Sequence, residues 1–462
     1  MLNKQTNKQT NKQTNKSRLN PPNAITLKRY NAIPRQAQDC VLSLSKDAIT
    51  LLIALCLLLV STQSYAELRT NMDAGIVIGQ RDFNSGLANQ GGSANSNTFS
   101  VPCGISSDGK RLFVVDRSNN RVFIYNSMPT PNNASADIVI GQPNFTSILA
   151  NQGVSAGANT LSRPFDVCFD GKRLFIAEVN NNRVLIFNSV PTSNNASANV
   201  VVGQPDFATT SAGTTASKFS GPTHVFSDGK KLFVSDSANN RVLIYNFIPT
   251  SNGASANVVI GQPNFNVSNA SDLYGATSRT VGYCYRVITD GKRLFICDGT
   301  FYRVLVYNSV PTNNYTAADI VIGQPTFTAS GGSASATKFG ASPYYLISDN
   351  RRLFISTLGS NRVLFYNSIP TANNASAGMV IGQPDFTSAL ANQGGTTRTN
   401  TLSGPRGMVY DGKRLYVVDT GNNRILIYNI GDSSIKPGPQ FDQGKAPRRQ
   451  GLRGCKRQRS SG

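Results

Sequence analysis

A sixfold internal repeat dominates the sequence after residue 72 and restricts the possible folds more than any other feature. A Gly-Gln pair follows a short apolar run six times; five copies read GQPxF and the first reads GQRDF. A second element, DGKRLF with small variations, also occurs six times and is followed by an NNRV-like segment and another apolar run. Both elements recur every 58–62 residues. A period of this length predicts a closed or stacked array of similar units.

Each repeat contains four strand signals. Strand a is short and apolar, as in 165–169, and the Asp-Gly pair after it is typical of a tight hairpin turn because Gly tolerates a positive φ. Strands b and c are apolar runs such as LFIAE and RVLIFN, and a Pro-Thr-Asn-rich loop leads to strand d near 199–203. The absence of Trp and the abundance of Gly, Ser, Thr and Asn suit short strands and turns. The pattern predicts an all-β, six-bladed β-propeller of four-stranded antiparallel blades.

The offset of the repeats predicts how the ring closes. The first element is a d strand at 74–80, whereas the last is a c strand at 424–429. The Pro-Thr linker between strands c and d occurs five times and is missing after the sixth c strand. We therefore expect the N-terminal strand to complete the last blade, which hides two exposed sheet edges.

These repeats resemble the NHL family. The family's Pro-Xaa-Gly start, Asp-Gly turn and D-x-x-N-x-R-[IV] segment are matched in the last blade by 405–407, 411–412 and 419–425. The resemblance covers about three-quarters of the chain. It implies a propeller fold but no single activity, because the family includes scaffolds, ligand binders and a few lyases, and related propellers include gluconolactonase-like hydrolases.

The termini differ in composition from the repeats. Residues 3–16 are a low-complexity NKQT repeat, and an apolar run of 13 residues covers 48–60. That run is too short to span a bilayer, which takes about 20 residues, but it suits a secretory signal. We expect a disordered segment at 1–47, a signal peptide at 48–66 cleaved before Glu67, the propeller at 67–430 and a basic disordered tail at 431–462. An uncleaved membrane anchor and a translation start at 41–44 remain alternatives.

The net charge of +21 is concentrated in these termini. Residues 1–66 carry +7 and 431–462 carry +6, which leaves +8 for 67–430. Nucleic-acid binding needs a concentrated basic face, so we do not expect a nucleic-acid partner. We expect an exported monomer, located in the periplasm, on the cell surface or in the medium, with no stable membrane span.

An acid at the end of strand b and an Arg at the start of strand c recur in five blades. Residues that recur in nearly every blade serve the architecture, so we interpret these as structural ion pairs. We expect them to be exposed at the b–c turns and to contribute only about 0–1 kcal/mol each. In the fifth blade Thr357 replaces the acid and leaves Arg362 alone. The pairs are Asp116/Arg121, Glu178/Arg183, Asp236/Arg241, Asp298/Arg303 and Asp419/Arg424.

A position that varies between blades is a better candidate for ligand binding. It lies four residues before each acid of the Asp-Gly turn, in strand a, and the residue after it is always apolar. We expect it near one mouth of the central channel, where a polar arc would face a gap left by Gly104 and Gly407. A water-filled channel would also tolerate these polar residues. The candidate pocket consists of Asp166, His224, Arg286 and Tyr345.

His224 is the only histidine, which rules out a three-His zinc site. The sequence predicts no metal, no other cofactor and no catalytic residue; an Asp/Asn metal site is an alternative that no ligand spacing specifies. The seven cysteines show no disulfide framework. A two-residue turn between Cys284 and Cys297 would pair Cys297 with Arg286, so we do not expect those two cysteines to be linked.

Three of the long connections between strands d and a share the segment LANQG, at 87–91, 149–153 and 390–394. We expect a contiguous Asn/Gly-rich ridge on the face of the b–c loops, which could bind a protein, peptide or glycan. The sequence therefore favours a non-catalytic interaction module. The alternative is a lyase or hydrolase at the channel mouth, acting with or without a metal ion.

Overall fold

A computed structural model describes residues 68–268 and 275–431. The expected disordered segment, the signal peptide with its cleavage site and nearly all of the basic tail lie outside the described residues, as do Cys40, Cys56 and Cys455. Within the described ranges, no helix is long and apolar enough to cross a membrane.

Within residues 68–268 and 275–431, twenty-four strands form six four-stranded antiparallel sheets. The innermost strands contact one another around a ring, so the fold is the expected six-bladed propeller. In order from the channel outward, blade 1 has β2 Pro102–Ser107, β3 Leu112–Asp116, β4 Arg121–Tyr125 and β5 Ile138–Ile140; blade 2 has β6 Pro164–Phe169, β7 Leu174–Glu178, β8 Arg183–Phe187 and β9 Val200–Val202; blade 3 has β10 Pro222–Ser227, β11 Leu232–Asp236, β12 Arg241–Tyr245 and β13 Val258–Ile260. Blade 4 has β14 Cys284–Thr289, β15 Leu294–Asp298, β16 Arg303–Tyr307 and β17 Ile320–Ile322; blade 5 has β18 Pro343–Ser348, β19 Leu353–Thr357, β20 Arg362–Tyr366 and β21 Met379–Ile381; blade 6 has β22 Pro405–Tyr410, β23 Arg414–Asp419, β24 Arg424–Asn429 and β1 Ile76–Ile78.

The only other regular elements described are short 3-10 turns in the loops. They cover Ala88–Gly91, Arg117–Asn119, Ala150–Gly153, Ser237–Asn239, Ala391–Gly394 and Thr420–Asn422.

The Asp-Gly turns fold as their residue types predict. In blade 1 the Asp108 carboxylate accepts the backbone amides of Lys110 and Arg111, and Gly109 has a φ of 80°. A side chain that accepts amides two and three residues ahead stabilises a tight turn. Strands a and b therefore leave this turn in one fixed register, with Ser107 opposite Leu112.

The N-terminal strand completes the last blade, as the repeat offset predicts. β1 pairs antiparallel with β24, with Val77 opposite Leu426. The residues before β1 also bind the neighbouring blade 5, because the amide of Asn71 donates to the carbonyl of Val380. On the other side of the closure, Asn423 accepts the amide of Val101 in blade 1 through its side chain. The ring is thus closed by one strand and by loops on both sides of it.

The recurrent ion pairs are buried, which corrects the expectation that they are exposed. Both side chains of every pair have 0% exposure, and the Arg Nε lies 2.5–2.9 Å from the carboxylate. In blade 1, for example, the Arg121 guanidinium also donates to the carbonyls of Asn95, Thr98 and Phe145. The two loops that contain these carbonyls fold over the b–c turn and exclude water. Removing one partner of such a buried pair costs about 3–5 kcal/mol, well above the value for an exposed pair.

Candidate functional site in the central channel

A β-bulge in the innermost strand of each blade sets the geometry of the channel. In blade 3, Pro222 lies opposite Asp236 and His224 lies opposite Ser235, so Thr223 is an extra residue. A bulge alters the directions of the side chains around it. Both Thr223 and His224 consequently line the channel, and the corresponding two residues do so in blades 2, 4 and 5.

The structure brings the four predicted pocket residues together. Nε2 of His224 lies 3.0 Å from a carboxylate oxygen of Asp166 and 2.5 Å from Nη1 of Arg286. The Tyr345 hydroxyl donates to the carbonyl of Ile105 at 2.9 Å and lies 3.4 Å from the other oxygen of Asp166. The Arg286 guanidinium carbon lies 3.3 Å from the centre of the Tyr345 ring. We call these four residues the channel septum.

Burial determines the charges in the channel septum. It raises the pKa of Asp166 to about 7, although Arg286 acts in the opposite direction. Burial and the Arg286 charge together hold the pKa of His224 well below 6.5. The second ring nitrogen of His224 accepts the amide of Val287 at 3.3 Å. The histidine is therefore a neutral side chain with both nitrogens in contact with protein atoms.

The channel septum lies deeper than the sequence suggests. Its residues are only 1–7% exposed, so they cross the channel instead of lining an open mouth. The expected gap at the two glycines is also absent: a Cβ on Gly104 would lie 2.6 Å from Cα of Asp166, and one on Gly407 would lie 2.3 Å from the carbonyl of Cys103. These glycines allow neighbouring strands to approach closely.

A cavity opens from the channel septum toward the face that carries the Asp-Gly turns. Including its opening to solvent, it measures about 710 Å³, of which the centres of water molecules can reach about 100 Å³. Its walls combine Ser106, Ser348 and Asp349 with Phe226 and Tyr410. Arg286, 7% exposed, is the most accessible residue of the septum beneath it. The cavity can admit a small polar group above a cationic floor.

The LANQG loops are held rigidly on the opposite face, the face of the b–c turns. Asn89 and Asn119 exchange side-chain amide hydrogen bonds, at 2.8 and 3.4 Å, and the equivalent pairs form in blades 2 and 6. Gln90 donates to three oxygens around it. In five blades the b–c turn also binds the next loop; in blade 1, for example, the Asn120 side chain donates to the carbonyl of Ile148. The Asn and Gln side chains therefore stabilise the loops themselves.

The large side chains that these loops expose are apolar. Leu87, Leu149 and Leu390 occupy the same loop position in adjacent blades and are 63–68% exposed. Ile148 and Val154 are exposed beside Leu149. We call these five residues the apolar ridge. Among the described residues, the only other large hydrophobic side chain with comparable exposure is Phe247, on the opposite face.

The metal-binding and cysteine chemistry of the described ranges is limited. No group of three or more His, Cys, Asp or Glu side chains in these ranges has the arrangement of a metal site. Cys103, Cys168, Cys284 and Cys297 are free and buried. Arg286 lies opposite Cys297 in the β14–β15 hairpin, so the predicted register is confirmed.

The fold and this site define an all-β six-bladed propeller with a closed channel. No protein-family model matches the sequence, and no curated protein matches it, so the NHL resemblance stays a prediction.

Solved structures that are similar to this chain include two lyases and a chain of a nidogen/laminin complex. A catalytically inactive virginiamycin B lyase from Staphylococcus aureus, with quinupristin, is 13% identical, with a TM-score of 0.38 over 73% of this chain and 97% of the other. A streptogramin B lyase is 12% identical (TM-score 0.37; 73% and 96% covered), as is a chain of a nidogen/laminin complex (TM-score 0.33; 61% and 84% covered). At identities of 12–13% and TM-scores of 0.33–0.38, these similarities support no conclusion about activity.

Proposed function

We propose that this protein is an exported, non-catalytic interaction module of the NHL type that binds a partner protein through the apolar ridge. The observation that carries the proposal is the presentation of three leucines by rigid loops in adjacent blades. Exposed apolar side chains grouped on one face and rimmed by polar residues are typical of protein interaction sites. Leucine side chains offer no hydrogen bonds to a sugar, so the ridge favours a protein or peptide over a glycan.

The alternative, a lyase or hydrolase, would use Asp166 and His224, which lie 3.0 Å apart. A general base must reach the proton that it removes. Both nitrogens of His224 are already engaged by protein groups, and the two residues are 1–2% exposed. This geometry favours a structural role for the pair and therefore binding over catalysis.

The test is site-specific photo-crosslinking in the native host. A photoreactive residue at Leu149 should produce a crosslinked adduct with a defined protein, whereas the same residue at Phe247, on the other face, should not. The recovered protein should begin near Glu67, as export with cleavage requires. Purified partner should then bind the Leu87→Asn/Leu149→Asn/Leu390→Asn variant at least tenfold more weakly than it binds wild type.

That weakening corresponds to about 1.4 kcal/mol, less than the burial of one leucine side chain contributes. Phe247→Asn is the matched control and should bind like wild type. Adducts formed equally from both positions, or an adduct that is a second copy of this chain, would contradict the proposal.

A further inference from the structure

The second mouth of the channel, on the face of the b–c turns, carries a cluster that lies beyond the proposed function. It is built from the bulge residue of strand a in each blade, which comes just before the position that supplies the septum residues in blades 2 to 5. This position varies between blades just as the septum position does: Cys103, Phe165, Thr223, Tyr285, Tyr344 and Arg406. The variation was visible in the sequence, but only the bulge shows that these side chains also face the channel.

Four aromatic rings cover this mouth. Tyr285 and Tyr344 are stacked, with ring centres 4.3 Å apart. Phe165 is also stacked with Tyr344, with ring centres 6.0 Å apart. Tyr283 packs against Tyr285 at 4.9 Å. The rings form one continuous layer over a small void that has room for about one water molecule.

Arginines surround the aromatic layer. The guanidinium carbon of Arg117 lies 5.0 Å from the centre of the Phe165 ring, and that of Arg406 lies 5.7 Å from the same ring and 4.8 Å from Tyr344. The exposed Arg163 immediately precedes β6 on the same face. None of these three arginines forms an ion pair with an acid of the described ranges. Burial and the charges of Arg406 and Arg163 lower the pKa of Arg117.

Three buried donors in this cluster have no hydrogen-bond partner within the described residues. They are Nε of Arg117, Nε of Arg406 and the hydroxyl of Tyr344, a residue only 4% exposed. Nη1 of Arg406 contacts the sulfur of Cys103 at 3.1 Å. An unsatisfied buried donor costs about 1–3 kcal/mol, so a cluster of them indicates an acceptor that the protein itself does not supply.

We propose that this cluster is a binding site for a small oxyanion ligand with two or more negative charges. Guanidinium groups bind carboxylates, sulfates and phosphates through paired N–H donors, and the Tyr344 hydroxyl adds an O–H donor. The channel septum closes the passage beneath, so the ligand lies at the mouth against the arginines. Two sources share this chemistry: polycarboxylates, and tetrahedral sulfate or phosphate.

The experiment is calorimetric titration of the purified propeller at low salt with citrate, inorganic phosphate and inorganic sulfate, and with glycerol as the uncharged probe. At least one anion should bind and glycerol should not. Citrate binding alone identifies a polycarboxylate site, whereas phosphate or sulfate binding identifies a tetrahedral-oxyanion site. Raising the ionic strength to about 1 M should weaken binding, because the Debye length then falls to about 3 Å.

Arg117→Gln and Arg406→Gln should each weaken binding of that anion tenfold or more, and Tyr344→Phe, which keeps the ring, should weaken it severalfold. Arg111→Gln is the matched control: Arg111 also lies over two aromatic rings but pairs with Asp108 on the opposite face. The proposal is overturned if wild type binds none of the anions, or if folded Arg117→Gln and Tyr344→Phe bind like wild type. The apolar-ridge variant should bind the anion normally, which separates this site from the proposed function.

Discussion

Asp166 and His224 show how burial shifts two neighbouring titrations in opposite directions. Near pH 5.5 an unfolded chain carries an ionised Asp and a protonated His, whereas the folded septum holds a neutral Asp and a neutral His. Each state binds one proton in total, so the pair contributes little to the pH dependence of stability. The sequence identified both residues because their position varies between blades. It could not show their burial, because that depends on how strands a of different blades approach one another at Gly104 and Gly407.

Breaking the pair should expose two opposite pH dependences. In His224→Asn only Asp166 remains; because its folded pKa of about 7 is raised, the free energy of unfolding should fall as pH rises from about 4 to 7. In Asp166→Asn only His224 remains; because its folded pKa is lowered, the free energy of unfolding should rise with pH up to about 6.5. Each slope can reach about 1.4 kcal/mol per pH unit. Urea titrations from pH 4.5 to 7.5 measure the slope of the unfolding free energy against pH, and Asp206→Asn, at an exposed position, is the control. If the two septum variants gave parallel curves, the pKa shifts assigned to Asp166 and His224 would be wrong.

The b–c turn is the element in which the structure departs most from the sequence prediction, because its ion pair is buried and not exposed. The motif from strand-b acid to strand-c Arg predicts an ion pair, and five blades contain one. The burial of the pair depends on loops about 25 residues away in sequence, which the motif does not describe. In blade 5 the turn is incomplete. Arg362 is fully buried and binds only carbonyls, its Nε has no partner within the described residues, and burial lowers its pKa to about 10.

Because this turn is buried, Thr357→Asp should raise the free energy of unfolding by about 1.5–3 kcal/mol, the range for a charge-assisted hydrogen bond. Adding Ser360→Asn should increase the gain, because Asn119 donates to the Asp116 carboxylate at the equivalent position in blade 1. Thr357→Asn, which supplies a side chain of similar size without a charge, should give no such gain. Urea unfolding of the three variants decides: if Thr357→Asp is no more stable than wild type, desolvation of the carboxylate outweighs its pairing with Arg362.

The stability of the propeller depends on closing the ring. The outer strands are short, and their free edges are covered by asparagines of the next blade; the Asn194 side chain, for example, accepts the amide of Val139 in β5. In blade 6 the same role falls to Asn132, which accepts the amide of Val77 in β1. Edge coverage of this kind protects a β protein from pairing with other chains. The offset of the repeats predicted the closing strand because strand counting needs no knowledge of side-chain contacts.

Deleting residues 67–82 should therefore destabilise the entire propeller. The deletion removes the fully buried Val77 and Ile78, exposes the edge of β24 and takes away the Asn71 contact that covers β21. Burial of each such side chain contributes about 1.5–3 kcal/mol, against a total stability of about 5–15 kcal/mol for a typical domain. The melting temperature should fall by about 10 °C or more, and the exposed edge should cause self-association in sedimentation experiments. A protein that begins at Glu67 is the control, and a synthetic peptide of residues 67–82 should restore part of the lost stability by pairing with β24. If the deleted protein melts like the control and stays monomeric, the N-terminal strand does not hold the ring closed.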